Sequence, residues 1–378
     1  MDFLQSTWLE NAPLGVHTIW LTLLAIFVAT LALIPPTRHF AIKLGYVDEP
    51  GGRKIHHAPV PPIGGFIIFT LFLALNAIIF TLTPALLSLY AALTLLLITG
   101  LIDDKRPVPA LLKFIIHFVA AGIIVFGGGA QLNNMGNMLG FGDWHLGWFF
   151  APIFSIACVV YLINAVNMMD GLDGLAGGKS LMILFWLMLA AHISGHSAAM
   201  LHIGIIAAAL AGFLFYNMRH PLRDKACIFL GDTGSMGLGL IIAWFCIHIS
   251  QGENAPLTPI SIAWIIALPI IDAFGLFAMR IYEGRHPFSP DLRHFHHHFI
   301  HAGFPVGDTT LMIITLGAGL GAVGFAASIF NWPEPLMTAL WVVLWLGHAV
   351  LVIKSHHFIR FLEKLFHIRY KRHNKAEQ

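Results

Sequence analysis

Apolar residues dominate this chain in long stretches that short polar segments separate. A stretch of about 20 apolar residues is long enough to cross the ~30 Å hydrocarbon core of a bilayer as an α-helix. Segment 180–193 is short by that standard. The pattern predicts an all-α, polytopic membrane protein with eleven transmembrane helices. The predicted spans are 17–35, 63–82, 84–102, 111–128, 148–166, 180–193, 198–216, 234–250, 260–280, 310–330 and 336–354.

Basic residues are confined to alternate connections between these spans. The loops after spans 1, 3, 5, 7 and 9 and the C-terminal tail, with the adjoining span edges, hold all 21 lysines and arginines. Cytoplasmic loops carry an excess of Lys and Arg, so the N-terminus is predicted outside and the C-terminus in the cytoplasm. Residues 1–354 would form the transmembrane domain. The tail 355–378 is basic and amphipathic, and we expect it to lie on the anionic inner leaflet.

Composition excludes the soluble protein that the length alone suggests. A chain of 378 residues would make two or three soluble domains, but 57% of the residues are hydrophobic and 11% are charged. The three cysteines lack metal-ligand spacing and predict no disulfide framework. The first sixteen residues lack a basic start, so no cleavable signal peptide is indicated. Topology explains the basic residues, and no nucleic-acid partner is expected.

The most informative polar stretch is Asn164-Ala-Val-Asn-Met-Met-Asp-Gly-Leu-Asp-Gly174, at the end of the fifth span. Asn164, Asn167, Asp170 and Asp173 recur at every third position, and helical residues three apart are neighbours. Carboxylates are costly beside hydrocarbon. Two carboxylates and two amides in a glycine-rich turn suit a cation bound with a phosphate or nucleotide. A polar loop closing two spans is the alternative.

A second acidic motif, Asp103-Asp104, ends the third span. Two carboxylates about 4 Å apart repel by roughly 4 kcal/mol at an effective dielectric constant near 20. Lys105 and Arg106 could offset that repulsion locally. A divalent metal bound with a phosphate is the sharper hypothesis, because Mg²⁺ typically uses one or two carboxylates and the phosphates of its substrate.

Three further polar motifs lie in the loops after spans 1, 7 and 9. Asp232 begins the eighth span, where a helix N-terminus can bind anions or be capped by the aspartate itself. Four histidines lie between 294 and 298; they could bind zinc, but imidazoles facing a pyrophosphate fit equally well. Arg53 and Lys54, in the first loop, could bind phosphates, or they could be basic residues of a cytoplasmic loop without a further role. Asp272, within the ninth span, needs a partner that the sequence does not identify.

The distribution of these motifs predicts an active site at the cytoplasmic face that acts on a lipid-borne substrate. Acidic and histidine motifs follow spans 3, 5, 7 and 9, and the outer loops have no such constellation. The alternative from another class is a secondary transporter lined by Asp272 and the intramembrane histidines. Transporter sites usually lie near the midplane, often between inverted repeats, and no internal repeat is visible here.

Four motifs, which occur in the family's order along the chain, resemble those of the polyprenyl-phosphate N-acetylhexosamine-1-phosphate transferases. The resemblance covers nearly the whole chain and includes Arg53-Lys-Ile-His56 with Gly64-Gly65. The family also has eleven spans and an outside N-terminus. The motifs are Asp103-Asp104, Asn164 to Gly174, Phe229-Leu-Gly-Asp-Thr-Gly234 and Ser289-Pro-Asp-Leu-Arg-His-Phe-His-His297.

The Ser-Pro-Asp start of the last motif and the basic tail point to one branch of that family. Its members transfer GlcNAc-1-phosphate from UDP-GlcNAc to undecaprenyl phosphate and release UMP, as the first membrane step of a cell-surface glycan such as O antigen. Leu292 and Arg293 depart from the pattern of that branch. His296-His297-His298 matches the other branch, which makes lipid I from UDP-MurNAc-pentapeptide. The sugar therefore stays open between these and other UDP-N-acetylhexosamines.

The resemblance also implies roles for individual residues. Asp232 would bind Mg²⁺, or alternatively Mn²⁺, with Asp104 nearby, and Asp103 would deprotonate or orient the lipid phosphate. Direct attack and a covalent intermediate both stay open. His294, His296 and His297 would contact the pyrophosphate or the sugar, and Phe229 would stack on uracil. The remaining residues assigned to substrate binding are Lys54, Asn164, Asn167, Asp170, Asp173, Asn217 and Arg293.

The implied setting is the bacterial inner membrane. The partners would be UDP-GlcNAc, undecaprenyl phosphate and membrane lipids. A homodimer is left open as the assembly.

Overall fold

The computed structural model describes residues 15–49, 59–285 and 293–366. In these ranges the chain folds into α-helices, one π-helical turn (Ile123–Gly127) and connecting loops, without β-strands. The helices are α1 (Val16–Lys43), α2 (Gly64–Ile79), α3 (Pro84–Lys105), α4 (Ala110–Gly122), α5 (Gly147–Met168), α6 (Leu175–Ile193), α7 (Ser197–Asn217), α8 (Gly231–Ser250), α9 (Pro259–Ile265), α10 (Ala267–Tyr282), α11 (Phe295–His301), α12 (Val306–Ile329), α13 (Glu334–Ile353) and α14 (Ser355–Leu365).

The helices match the predicted spans. Among the described residues, nine helices are long and apolar enough to cross a membrane, and the bent pair α9–α10 would make a tenth. α2 is apolar but shorter, at 16 residues. Each of the eleven predicted spans coincides with one of these helices or with the bent pair. The protein is therefore an all-α, polytopic membrane protein, as predicted. The number of crossings and the sidedness of the termini stay predictions.

The ninth span is not the continuous helix that the sequence predicts. α9 and α10 meet at Ile266 with a bend of 76°. Pro269 has no N–H to donate to the carbonyl of Ile265, so the helical hydrogen-bond ladder is interrupted there. The bend separates the short helix α9 from α10, which carries Asp272.

The first helix continues to Lys43, beyond the predicted end at residue 35, although Pro35 and Pro36 lie inside it. Pro35 cannot donate to the carbonyl of Leu31. The hydroxyl group of Tyr216 on α7 donates to that carbonyl instead, at 3.0 Å. A side chain from another helix thus replaces the backbone hydrogen bond that Pro35 cannot make.

α8 lies at the centre of the bundle and is buried from Thr233 to Ser250. It packs mainly against α3 and α5. A Cβ atom on Gly239 would lie 2.5 Å from the Cα of Ile163, so only glycine allows α8 and α5 to approach this closely. Close packing of these three helices brings the ends of α3 and α5 to the start of α8.

A second, smaller apolar cluster lies beside this central core. It joins the histidine helix α11 to the starts of α10 and α12 and to the C-terminal helix α14. Leu172 and Leu175, next to the predicted Asp170–Asp173 turn, belong to the same cluster. Segments that are distant in sequence therefore meet at one end of the bundle.

Candidate active site

Asp104, at the end of α3, holds the N-terminus of α8. Its Oδ1 accepts the backbone N–H of Asp232 at 2.8 Å, and its Oδ2 accepts the hydroxyl group of Thr233 at 2.9 Å. A carboxylate is stabilised by the free N–H groups and positive dipole end of a helix N-terminus. Asp104 therefore caps α8 across space, and capping is not the role of Asp232 itself. Metal binding by Asp104 stays a prediction.

Asp103 and Asp232 share a cation, the ammonium group of Lys113 on α4. The Nζ atom of Lys113 lies 2.7 Å from Asp103 Oδ2 and 3.1 Å from Asp232 Oδ2. Asp103 Oδ1 also accepts the N–H of Val108 at 2.6 Å. The cation that offsets Asp103 thus comes from the next helix. Lys113 was not among the residues predicted for the site; a lone lysine in the first turn of an apolar span was the available signal.

Asn167, in the last turn of α5, joins the same group. Its Nδ2 donates to Asp232 Oδ1 at 2.9 Å and lies 2.8 Å from Ser235 Oγ. Asn164, one turn earlier, donates to the backbone carbonyl of Val160 at 2.7 Å. Asn167 therefore orients Asp232, whereas Asn164 lies deeper in the bundle beside an apolar cavity.

The turn between α5 and α6 carries two aspartates in different surroundings. Asp173 Oδ2 accepts the Nε–H of Arg219 at 2.8 Å. Asp170 is exposed to solvent. Crowding by surrounding protein, and then the negative charges of Asp232 and Asp104, raise the pKa of Asp170 above its usual range. Because water reaches this carboxyl group, solvent screening limits the shift.

Asn217, predicted to bind substrate, braces this turn. Its Oδ1 accepts the N–H of Gly174 at 2.9 Å, and its Nδ2 donates to the carbonyl of Ile228 at 2.9 Å. Gly174 has φ +77°, a conformation that favours glycine. The buried amide thus fixes the shape of the turn. Phe229 is half-buried at the same end of the bundle, and its stacking on uracil stays a prediction.

The histidine segment is anchored by Asp272, whose partner the sequence did not identify. Asp272 Oδ1 accepts the N–H of Phe295 at 2.9 Å, and its Oδ2 lies 3.2 Å from His294 Nδ1. His348 Nε2 on α13 lies 4.0 Å from Asp272 Oδ1. The buried carboxylate of Asp272 therefore fixes the first turn of α11.

His296 brings the histidine segment to the aspartate turn. Its ring stacks on that of His294, with centroids 5.6 Å apart, and its Nε2 lies so close to Gly171 that a Cβ atom there would be 2.6 Å away. The ring of His297 lies 4.2 Å from that of His296. Burial, and next the charge of His297, lower the pKa of His296, so this imidazole is neutral at neutral pH.

Of the two remaining predicted substrate-binding residues, the structure describes Arg293. Arg293 pairs with Glu283 through two contacts of 2.5 and 2.8 Å between their side chains. This ion pair is exposed at the surface, and Arg293 lowers the pKa of Glu283. Lys54 lies outside the described residues.

The donor chemistry fits Mg²⁺ bound together with a phosphate. Within the described ranges, no group of three or more His, Cys, Asp or Glu side chains could hold a metal ion by itself. Asp103 and Asp232 nevertheless offer carboxylate oxygens that already share one cation, and Asp170 is open to solvent. Mg²⁺ sites commonly combine one or two carboxylates with substrate phosphates. A protein-only cage, such as a histidine zinc site, does not fit.

An apolar cavity of about 260 Å³ lies between α4, α5 and α10, next to Asn164. Its walls are mainly aromatic and aliphatic side chains. They include Phe114, Phe118, Tyr161, Met168 and Phe277. The polar site is thus bordered by an apolar surface that suits a hydrocarbon chain.

Comparison with known proteins places the chain in a family. Residues 86–250 match glycosyl transferase family 4. Curated relatives from several organisms carry the name undecaprenyl-phosphate alpha-N-acetylglucosaminyl 1-phosphate transferase. The protein of Pasteurella multocida is 30% identical over 357 residues, 94% of this chain and 99% of its own. The proteins of Yersinia pestis and Escherichia coli O157:H7 are 29% and 27% identical, each over 93% of this chain and 96% of their own.

The chain belongs to glycosyl transferase family 4, which confirms the resemblance that its loop motifs carry. It is an integral membrane enzyme, a glycosyl-1-phosphate transferase.

Proposed function

We propose that this protein, a polyprenyl-phosphate sugar-1-phosphate transferase, moves N-acetylglucosamine 1-phosphate from UDP-GlcNAc to undecaprenyl phosphate. The products are undecaprenyl-diphosphate-GlcNAc and UMP. The names of the relatives support this acceptor and sugar. The reaction would start a cell-surface glycan at the cytoplasmic face of the bacterial inner membrane. The positive-inside distribution of the basic residues supports that sidedness.

A charged group beside an apolar cavity, at one end of the bundle, supports this proposal. Asp103, Lys113 and Asp232 form a charged group at the end of the bundle where the apolar cavity opens beside Asn164. A polyprenyl phosphate has the matching division, a charged head on a hydrocarbon chain. A transporter pathway through the bundle would instead place the acidic residues near the midplane.

The proposed reaction exchanges one phosphorus–oxygen bond for another. An oxygen of the lipid phosphate bonds to the sugar-bearing phosphorus of UDP-GlcNAc, and the bond from that phosphorus to the oxygen of UMP breaks. The departing UMP keeps the electron pair. Both oxygens of Asp103 already accept hydrogen bonds, so we favour direct attack over a covalent intermediate on this residue.

The residues around the site would position the phosphates and offset their charge. Lys113 supplies a fixed positive charge, and Asn167 holds Asp232 in place. Mg²⁺, held by Asp232 with Asp103 or Asp170, would neutralise charge on the phosphates. Neutral His296 can donate one hydrogen bond to a pyrophosphate oxygen without adding charge. Phe229, Asp173 and Asn217 line or brace the proposed nucleotide pocket.

The direct test is nucleotide release by the purified protein in detergent. It would receive undecaprenyl phosphate and Mg²⁺ with UDP-GlcNAc or with UDP-MurNAc-pentapeptide. We expect UMP from UDP-GlcNAc alone. UMP only from the pentapeptide donor would reassign the sugar but keep the reaction class. UDP in place of UMP would mean glycosyl transfer and would refute the proposed chemistry.

A matched pair of variants links the reaction to the site. Asp232→Asn should reduce UMP release by about 10²-fold or more, since it removes a carboxylate that would hold the cation. Asp224→Asn, an exposed change between α7 and α8, should leave the rate unchanged. Equal rates for wild-type protein and Asp232→Asn would exclude this site.

A further inference from the structure

The C-terminal helix α14 packs against the histidine helix α11. The Phe358 ring stacks on that of Phe295, with centroids 5.9 Å apart at 12°. It also meets Phe299 edge-on at 6.1 Å. Leu362 is 4% exposed and lies in the apolar cluster that contains Leu172 of the aspartate turn. One face of α14 therefore supports two segments of the candidate site.

The other face of α14 presents basic side chains to the exterior. Arg360 and Lys364 are one helical turn apart and exposed, and exposed Lys354 immediately precedes the helix. Glu363 is the only acidic residue of the helix. Four further lysines and arginines follow in the sequence before the C-terminus, with one glutamate. This surface is complementary to a layer of negative charge.

Apolar side chains lie beside this basic stripe. Phe361 and Leu365, one turn apart, are 56% and 55% exposed. α14 follows α13, a helix long enough to cross the membrane, after the single residue Lys354. A helix with an exposed apolar edge next to a basic stripe, at the end of a span, is suited to lie in the interface of an anionic bilayer.

We propose that α14 binds the anionic surface of the membrane and that this binding holds α11 against the aspartate turn. Detachment of α14 would uncover Phe358 and Leu362 and remove support from Phe295 and Phe299. A surface that binds only the docked form shifts the population toward it. Anionic lipid would thus keep His294 and His296 in place. The effect on activity rests on the proposed function; the binding and ordering do not.

The test compares the full-length protein in nanodiscs of zwitterionic lipid with and without anionic phospholipid. Hydrogen exchange of the α11 amides (Phe295–His301) and UMP release are measured in each. Anionic lipid should slow exchange in α11 and raise the rate of UMP release. A basic residue near such a surface contributes about fivefold in affinity. Arg360→Gln/Lys364→Gln should therefore lose about 25-fold in surface affinity, and with it both lipid effects.

Two further variants separate the proposal from simpler explanations. Lys43→Gln/Lys225→Gln removes two exposed basic residues elsewhere, and it should keep both lipid effects. Phe358→Ala should speed exchange in α11 in both membranes by about fivefold or more, because it loosens the inner face of α14. Its overall melting temperature then checks that the bundle remains folded.

Several outcomes would overturn the proposal. One is hydrogen exchange in α11 that does not depend on lipid charge. Another is loss of the lipid effects in the Lys43→Gln/Lys225→Gln control. The third is a lipid effect that follows the amount of dimer, measured by native mass spectrometry. Absence of UMP in every membrane, with lipid-dependent exchange intact, would refute the proposed function and leave this proposal standing.

Discussion

Lys113 explains how Asp103 and Asp232 tolerate each other at the end of the bundle. Two carboxylates about 4 Å apart repel by roughly 4 kcal/mol at an effective dielectric constant near 20. The ammonium group 2.7 and 3.1 Å from their oxygens offsets that repulsion. A divalent cation would be attracted to the same oxygens. We therefore expect Lys113 to compete with the metal in the free enzyme and to contact phosphate when substrate binds.

Replacing Lys113 should separate metal binding from catalysis. Lys113→Gln should lower the rate of UMP release by about 10²-fold, because a fixed positive charge near the phosphates is lost. The same change should tighten Mn²⁺ binding, measured by electron paramagnetic resonance, because two carboxylates lose their internal cation. Lys113→Arg is the charge-conserving control. Weaker Mn²⁺ binding by Lys113→Gln would show that Lys113 does not compete with the metal.

Asp170 should lower the stability of the folded protein, although UMP release should depend on it. Its pKa is raised in the folded protein, so its ionised form is less favourable there than in the unfolded chain. The resulting destabilisation is absent below the unfolded pKa near 4 and grows as the pH rises through the folded pKa. Asp170→Asn should therefore raise the melting temperature by about 2 °C at pH 8 and by less at pH 5. UMP release should fall sharply. A stabilisation independent of pH would contradict this explanation.

At the scale of helices, two N-termini are capped by carboxylates from other parts of the chain. Asp104 on α3 caps α8, and Asp272 on α10 caps α11. The free N–H groups of a first turn need partners, and local sequence does not supply them here. These two contacts place the Asp232 turn and the histidine segment relative to α3 and α10.

Asp104 and Asp232 should respond differently to the same substitution. Asp104→Asn keeps an acceptor oxygen but loses the charge at the helix N-terminus, which should cost about 0.3–1 kcal/mol of stability. Asp232→Asn should weaken Mn²⁺ binding more than Asp104→Asn does. Thermal melting and Mn²⁺ titration of both variants test this. Equal losses of metal affinity would support Asp104 as a metal ligand.

The cap at Asp272 should show a graded effect. Asp272→Asn retains an oxygen for the N–H of Phe295, whereas Asp272→Ala leaves that N–H without its partner. Loss of an N-terminal cap costs about 0.5–2 kcal/mol. Hydrogen exchange in α11 should therefore quicken in the order wild type, Asn, Ala. Thr258 caps α9 at the opposite end of the bundle, so Thr258→Ala should leave hydrogen exchange in α11 unchanged. An unchanged rate in Asp272→Ala would exclude the anchoring role.

At the scale of the whole molecule, the bundle divides into two ends with different chemistry. The acidic turns and the histidine helix gather at one end. The loop between α4 and α5 lies at the other, where Gln251 at the end of α8 accepts the N–H of Asn133 at 2.9 Å. Positive-inside topology predicts that the first end faces the cytoplasm.

Cysteine labelling would test that sidedness. In a background without Cys158, Cys227 and Cys246, a cysteine replaces Phe141, which is 95% exposed in the α4–α5 loop, or exposed Lys225. A membrane-impermeant maleimide should label position 141 in intact spheroplasts. Position 225 should react only after permeabilisation. The reverse pattern would invert the topology and place the active site outside.

The sequence alone was sufficient for the class of fold and for the elements that carry the chemistry. Apolar length is a local property, because a helix satisfies its own backbone hydrogen bonds within the membrane. The predicted spans therefore coincide with helices, and the motifs fall at their ends. The predicted end of the first span was wrong because a distant residue, Tyr216, supports α1 beyond Pro35. The ninth span is bent by Pro269, which lies within its own sequence.

Tertiary structure decided which polar groups act on which. Lys113, the brace Asn217 and the cap Asp272 acquire their partners only when the helices pack. Their partners lie from 10 residues away, for Lys113 and Asp103, to 119, for Lys113 and Asp232, because hydrogen bonds and ion pairs depend on distance in space. Sequence determined what each segment could become; the packing of α3, α5 and α10 around α8 and α11 determined the charge and shape of the site.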